Sequence, residues 1–149
     1  VLWDHADPSH RAEGGTDTVD TTLVADDKIR RVVMCSGKVY YDLLEAREEK
    51  GVDDVYLLRV EQFYPIPARS MLQEFQRFPN AELVWCQEEP QNMGAWTFIQ
   101  PTLDWVLVQT DAKQSRPKYA GRSAAASTAA GTAAAHKAEQ DALINEALA

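Results

Sequence analysis

Three short apolar stretches, Arg31 to Cys35, Val55 to Val60 and Leu83 to Cys86, constrain this chain more than any other feature in it. None alternates apolar with polar residues, so a strand built from any of them is covered on both faces. Each is followed by a segment of helical period. Lys38 to Lys50 places Val39, Tyr40, Leu43, Leu44 and Ala46 opposite Glu45, Arg47, Glu48 and Glu49. Ala68 to Phe78 carries Met71, Leu72, Phe75 and Phe78, and Ala95 to Val108 carries Trp96, Ile99, Leu103 and Leu107. Strand-helix-strand units of this length pair in parallel through right-handed crossovers. The predicted fold class is therefore α/β, an open and mostly parallel sheet flanked by helices.

Punctuation residues agree with these boundaries. Gly51 stands where a helix carboxyl terminus wants a left-handed residue. Pro65 and Pro67 break the chain before the second helix, and Pro79-Asn80 stops it. Asn92 is placed to cap the helix carrying Trp96, Gly94 permits close packing there, and Pro101 should kink or split that helix. Lys118 to Gly121 supplies a fourth strand. Three regions result: an irregular arm or linker over residues 1–27, the α/β domain over 28–122, and a tail over 123–149. In the tail, the Ala/Ser/Thr stretch up to Ala135 reads as irregular, and His136 to Ala149 as a terminal amphipathic helix packing on the domain or a partner. Leu2 and Trp3, two large apolar groups in the arm, suggest docking on a neighbouring surface or a contact within the domain.

At 149 residues the chain suits one domain with tails. Its formal net charge of −8 argues against nucleic acid or an anionic membrane as partner, so any anion site must be local. Cys35 and Cys86 sit within apolar runs, where a free thiol packs as a small hydrophobe, and no disulfide is expected. No segment reaches the roughly 20 apolar residues of a membrane helix. The start, VLWDHADPSH, lacks the pattern of a signal peptide and an initiator methionine, so the chain is expected to be a fragment of a longer one.

No catalytic set is legible. His5, His10 and His136 lie near no acid or nucleophile in a known arrangement, and HExxH, paired CxxC, GxSxG and complete Walker loops do not occur. No metal site is expected. The Cys35-Ser36-Gly37-Lys38 turn, however, places backbone N–H groups and a lysine at a helix amino terminus, which serves either as an anion site or as a plain strand-to-helix turn. Arg59 ends the second strand at the same carboxyl edge, where ligands of open α/β sheets collect. Ser36, Lys38 and Arg59 could converge there, with Arg69 approaching from the next helix; alternatively Arg59 pairs with Glu61 and binds nothing. Glu88 and Glu89 alternate in direction on an extended chain and form no acid/base dyad, which favours an architectural or subunit-interface role.

Three blocks carry a resemblance: Val33-Met34-Cys35-Ser36-Gly37-Lys38-Val39-Tyr40-Tyr41-Asp42-Leu43, then Arg59-Val60-Glu61-Gln62-Phe63-Tyr64-Pro65, then Trp85-Cys86-Gln87-Glu88-Glu89-Pro90-Gln91-Asn92-Met93-Gly94-Ala95-Trp96. In that order they resemble the transketolase-C-like carboxyl-terminal domain of the thiamine-dependent decarboxylase component of 2-oxoglutarate dehydrogenase. Tyr119 to Ser127 and the closing His136 to Leu148 segment look like the end of the same family. The resemblance implies a full chain that decarboxylates 2-oxoglutarate on thiamine diphosphate with magnesium, both bound by upstream domains, and passes a succinyl group to the lipoyl arm of the succinyltransferase. It also implies a homodimer in the bacterial cytoplasm or the mitochondrial matrix. This fragment would be silent alone, supporting dimer structure and an effector site for acetyl-CoA or AMP. Arg59 matches a position of that site, whereas Ser36, Lys38 and Arg69 follow only from their place at the same sheet edge. Two alternatives remain open: a purely structural domain of another thiamine enzyme, and an independent flavodoxin-like nucleotide enzyme.

Overall fold

The computed structural model describes residues 1–9, 21–110 and 114–149; the expectations for His10 and for residues 10–20 of the arm lie outside them. After a single 3-10 turn (Asp26–Lys28) the elements run β1 (Arg31–Cys35), α1 (Val39–Glu49), β2 (Val55–Arg59), α2 (Ala68–Arg77), β3 (Glu82–Pro90), α3 (Trp96–Val108), β4 (Lys118–Arg122) and α4 (Ala133–Leu148). The strands form one parallel sheet in the order β2-β1-β3-β4.

The unbroken apolar runs feed two cores because successive strand residues point to opposite faces. On one face Val32, Met34, Tyr56, Leu58, Leu83 and Trp85 pack with Met71 and Phe75 of α2 and Ile99, Leu103 and Val106 of α3. On the other, Val33, Cys35, Leu57, Val84 and Cys86 pack with Val39, Tyr40 and Leu43 of α1 and Leu143, Ala147 and Leu148 of α4. Each helical layer therefore has its own half of every strand.

Helix ends depart from the expectations in instructive ways. Gly51 does take a positive φ, +62°, just past α1. Asn92 does not cap α3; its amide instead clamps Ala125, accepting from that residue's N–H and donating to its carbonyl, each at 3.0 Å. The cap comes from Gln87, a buried side chain of β3 whose Oε1 accepts from the Trp96 N–H at 2.9 Å and the Trp85 indole at 3.0 Å. Pro101 does not split α3, which runs through it. β3 continues past Cys86 to Pro90, with a register shift against β4 between Gln87 and Pro90. The terminal helix starts earlier than its polar-apolar pattern implied: Ala133 to Ala135 join it because Thr132 Oγ1 accepts from the Ala135 N–H at 3.2 Å. At its other end Arg31 donates to the carbonyls of Glu146 and Ala147, and Arg30 to that of Leu148. Cations there favour the negative end of the helix dipole.

The first residues of the arm are built into the domain. Leu2 and Arg59 exchange backbone hydrogen bonds of 2.8 and 3.0 Å in an antiparallel bridge along the outer edge of β2. Asp4 enters beneath, its carboxylate accepting from Leu57 N–H at 2.7 Å, Ala6 N–H at 2.9 Å and both terminal nitrogens of Arg47. Both side chains of the Asp4–Arg47 pair are fully buried. Trp3 donates its indole N–H to Glu74 of α2 at 3.0 Å while remaining 42% exposed.

Candidate anion site at the carboxyl edge of the sheet

β1 and β2 are adjacent and in register, with Cys35 beside Arg59, so the residues that follow each strand meet above the sheet edge. Gly37 turns the chain there with φ +72° and open space where a Cβ would stand. Its N–H points to Glu61, lying 3.2 Å from both carboxylate oxygens. Ser36 Oγ donates to the same carboxylate at 3.2 Å and Arg59 Nε at 2.9 Å. The amino terminus of α1 thus holds an anion, and the anion is the chain's own Glu61. Burial works to raise the Glu61 carboxyl, but the hydrogen bonds from Arg59, Gly37 and Ser36 outweigh it and hold the group below its ordinary value.

Arg59 is fixed on three sides. Its side chain is only 16% exposed, is paired to Glu61, and lies 4.8 Å from the ring centroid of Tyr40 and 5.6 Å from that of Tyr41. Those distances are within the range of cation–π attraction. Lys38 turns away from this group. Its ammonium pairs with Asp42 at 2.6 Å and Glu88 at 3.0 Å, and Gln140 of α4 donates to the same two carboxylates. Arg69 is exposed in the first turn of α2. Among the described residues it makes no hydrogen bond or ion pair with Ser36, Lys38 or Arg59. The geometry brings Ser36 and Arg59 together through Glu61 and leaves Lys38 and Arg69 in separate surroundings.

The seat can do one thing chemically: present a hydroxyl, a backbone N–H and a guanidinium to an oxyanion. Two clefts lie elsewhere on the described surface. A cleft of about 600 Å³ is bounded by Glu88, Glu89, Arg122 and His136, and another of about 350 Å³ by Asp7, Ile29, Tyr56 and Arg77. Neither is lined by Ser36, Lys38, Arg59 or Arg69. Among the described residues no group of three or more His, Cys, Asp or Glu side chains could hold a metal ion. His5 stands edge-on to Tyr40, with ring centroids 5.4 Å apart, and His136 is exposed.

Residues 14–148 match the family model described as 2-oxoglutarate dehydrogenase C-terminal. The chain belongs to this family. Curated relatives carry the same signal across nearly the whole length: the 2-oxoglutarate dehydrogenase E1 components of Brucella anthropi and Brucella ovis are each 57% identical over 148 residues, and that of Brucella abortus is 56% identical. In each case the match covers 99% of this chain and 14% of the relative. The chain therefore spans about one-seventh of the length of the E1 components it matches, and it represents their carboxyl-terminal region.

What sequence reasoning missed lies in pairs distant along the chain. Glu61 was visible as a partner for Arg59, yet its place on the Ser36-Gly37 turn depends on β2 lying next to β1, which local pattern does not specify. Arg47 was read with the charged side of its helix, but the structure buries it completely against Asp4. Gln87 left no signal.

Proposed function

We propose that this domain is the carboxyl-terminal, non-catalytic part of a 2-oxoglutarate dehydrogenase E1 chain. The full chain would oxidatively decarboxylate 2-oxoglutarate and deliver a succinyl group to the lipoyl arm of the succinyltransferase component. Thiamine diphosphate and magnesium would supply that chemistry. Both would be held by other regions of the full chain, and no step is assigned to this one. The domain itself would contribute to the homodimer and carry a regulatory anion site, for acetyl-CoA or AMP, centred on Arg59 with Ser36 and flanked by Lys38 and Arg69.

The observation that carries the regulatory reading is the seat of Glu61. A carboxylate held by Arg59, Ser36 and the Gly37 N–H marks a place where an oxyanion is stabilised, and a phosphate could exchange with it. The same observation favours a second reading, a purely architectural domain, because Glu61 already neutralises Arg59.

Calorimetric titration of the full-length dimer with acetyl-CoA and with AMP separates the two. The regulatory reading expects saturable heat for one of them, lost in Arg59→Ala and strengthened in Glu61→Gln, where the competing charge is gone. Absence of heat with both ligands supports the architectural reading. Binding that ignores both substitutions places the effector elsewhere. A decarboxylation assay on the same dimer tests the parent activity, and none is expected from the 149 residues alone.

A further inference from the structure

Helix α3 is apolar on two opposite sides, with Thr97, Gln100 and Asp104 between them, whereas a helix with one covered face carries polar residues on its outer side. Trp96, Ile99, Leu103, Val106 and Leu107 face the sheet and are buried. Its opposite side carries Phe98, Pro101, Trp105 and Val108, spaced three, four and three residues apart and so lying on one stripe. Phe98 and Trp105 are each 57% exposed and Val108 is 68% exposed. The one charged residue of the helix, Asp104, is held by Arg116 at 3.0 Å, so the stripe itself is uncharged.

We propose that this stripe is the surface on which the rest of an E1 chain, the part lying outside this domain in its relatives, packs. The occupant is thus an uncharged apolar surface of the same polypeptide class. Three observations select it. The relatives extend over about seven times the length of the region matched here, so each carries far more of its own chain to cover the stripe than this domain supplies. The arm comes in on the same helical layer, since Trp3 is hydrogen-bonded to Glu74 of α2, the neighbour of α3. Leu2 and Trp3 add further exposed apolar area beside that layer, whereas the outer side of α1 presents Glu45 and Glu49 and only Tyr41 as a large exposed apolar residue. Two large aromatic groups on the stripe, Phe98 and Trp105, are anchors of the kind that interface cores favour.

The inference rests on the reading of this domain as part of a full-length E1 chain and is independent of the effector site. It is tested on the full-length protein with the photo-cross-linking amino acid p-benzoylphenylalanine at Val108, the cross-linked peptides being identified by mass spectrometry. The expected result is a cross-link to E1 sequence outside the 149 residues. Cross-links to α3 of a second copy, to the succinyltransferase, or to nothing overturn the proposal. Hydroxyl-radical footprinting of the unsubstituted protein guards against disturbance by the probe. Phe98 and Trp105 should oxidise about tenfold more slowly than Tyr41 after correction for intrinsic reactivity, as at a water-excluded interface centre; equal rates overturn it as well. Decarboxylation measured on the same preparation tests the parent reading separately.

Discussion

Replacing Asp4 by alanine removes the anion of a pair in which both side chains are fully buried. Arg47 would keep its carbonyl partner, Val55 O at 3.1 Å, but its charge would be uncompensated, and the Leu57 and Ala6 N–H groups would lose their acceptor. Breaking a buried ion pair from one side costs about 3–5 kcal/mol. At about 2–4 °C per kcal/mol for a chain of this size, that is a fall in melting temperature of roughly 6–20 °C. Urea unfolding followed by circular dichroism and tryptophan fluorescence reads the free energy directly. The companion variants are Arg47→Met and the double variant Asp4→Leu/Arg47→Met. The double variant should lose less than the sum of the single ones, because it strands no charge. A loss below about 1 kcal/mol for Asp4→Ala, or strict additivity in the cycle, would refute the claim that this pair fastens the arm to the domain.

Acid should weaken the fold through Asp7, Glu61 and Glu82. Burial raises each carboxyl, but Ser9 and Arg77 hold Asp7 below its ordinary value, Arg59 and Gly37 hold Glu61, and Lys118 and Arg31 hold Glu82. A depressed folded-state pKa gives stability that is present above the unfolded value, near 4, and is lost as pH falls through the folded one. Unfolding free energy measured from pH 7 downward should therefore decline below about pH 4.5, less steeply in Asp7→Asn. Gly121→Ala places a Cβ 2.5 Å from Tyr119 Oη and 2.9 Å from the Gln87 carbonyl, and overpacking of that kind costs about 1–3 kcal/mol, readable by the same urea titration. Burial pushes the Cys86 thiol up to about 12 and the Cys35 thiol well above its usual range. Iodoacetamide at neutral pH should label neither until the chain unfolds; labelling at the rate of a free peptide thiol would contradict the packing of the core that holds both.

The architecture was legible because it is written in short-range pattern. Runs such as Val32 to Cys35 without alternation require cover on two sides, and the helical stripes that follow say what provides it. Helix termini were less legible wherever a side chain remote from the helix stood in for a local cap. Gln87 serves α3 from the far end of β3, and the expected cap, Asn92, is engaged with Ala125 instead. The candidate site shows the same division. The position of Arg59 at the strand end followed from the pattern, and so did pairing with Glu61 as one option. That Glu61 would sit on the α1 amino terminus, and that Lys38 would be drawn off by Asp42 and Glu88, depended on which strands and helices became neighbours.

The bridge between Leu2 and Arg59 has a consequence for solubility. β2 is an outer strand of the sheet, and its inward-facing residues are the continuous apolar run Val55 to Leu58. An edge of that kind, left open, is a template for pairing with the same edge of another molecule. Leu2 occupies the backbone groups of Arg59 and Asp4 takes the N–H of Leu57, so the arm closes the edge with one short bridge and one carboxylate. A chain trimmed to begin at residue 28 would keep every named helix and strand of the sheet and still expose a ready site for aggregation.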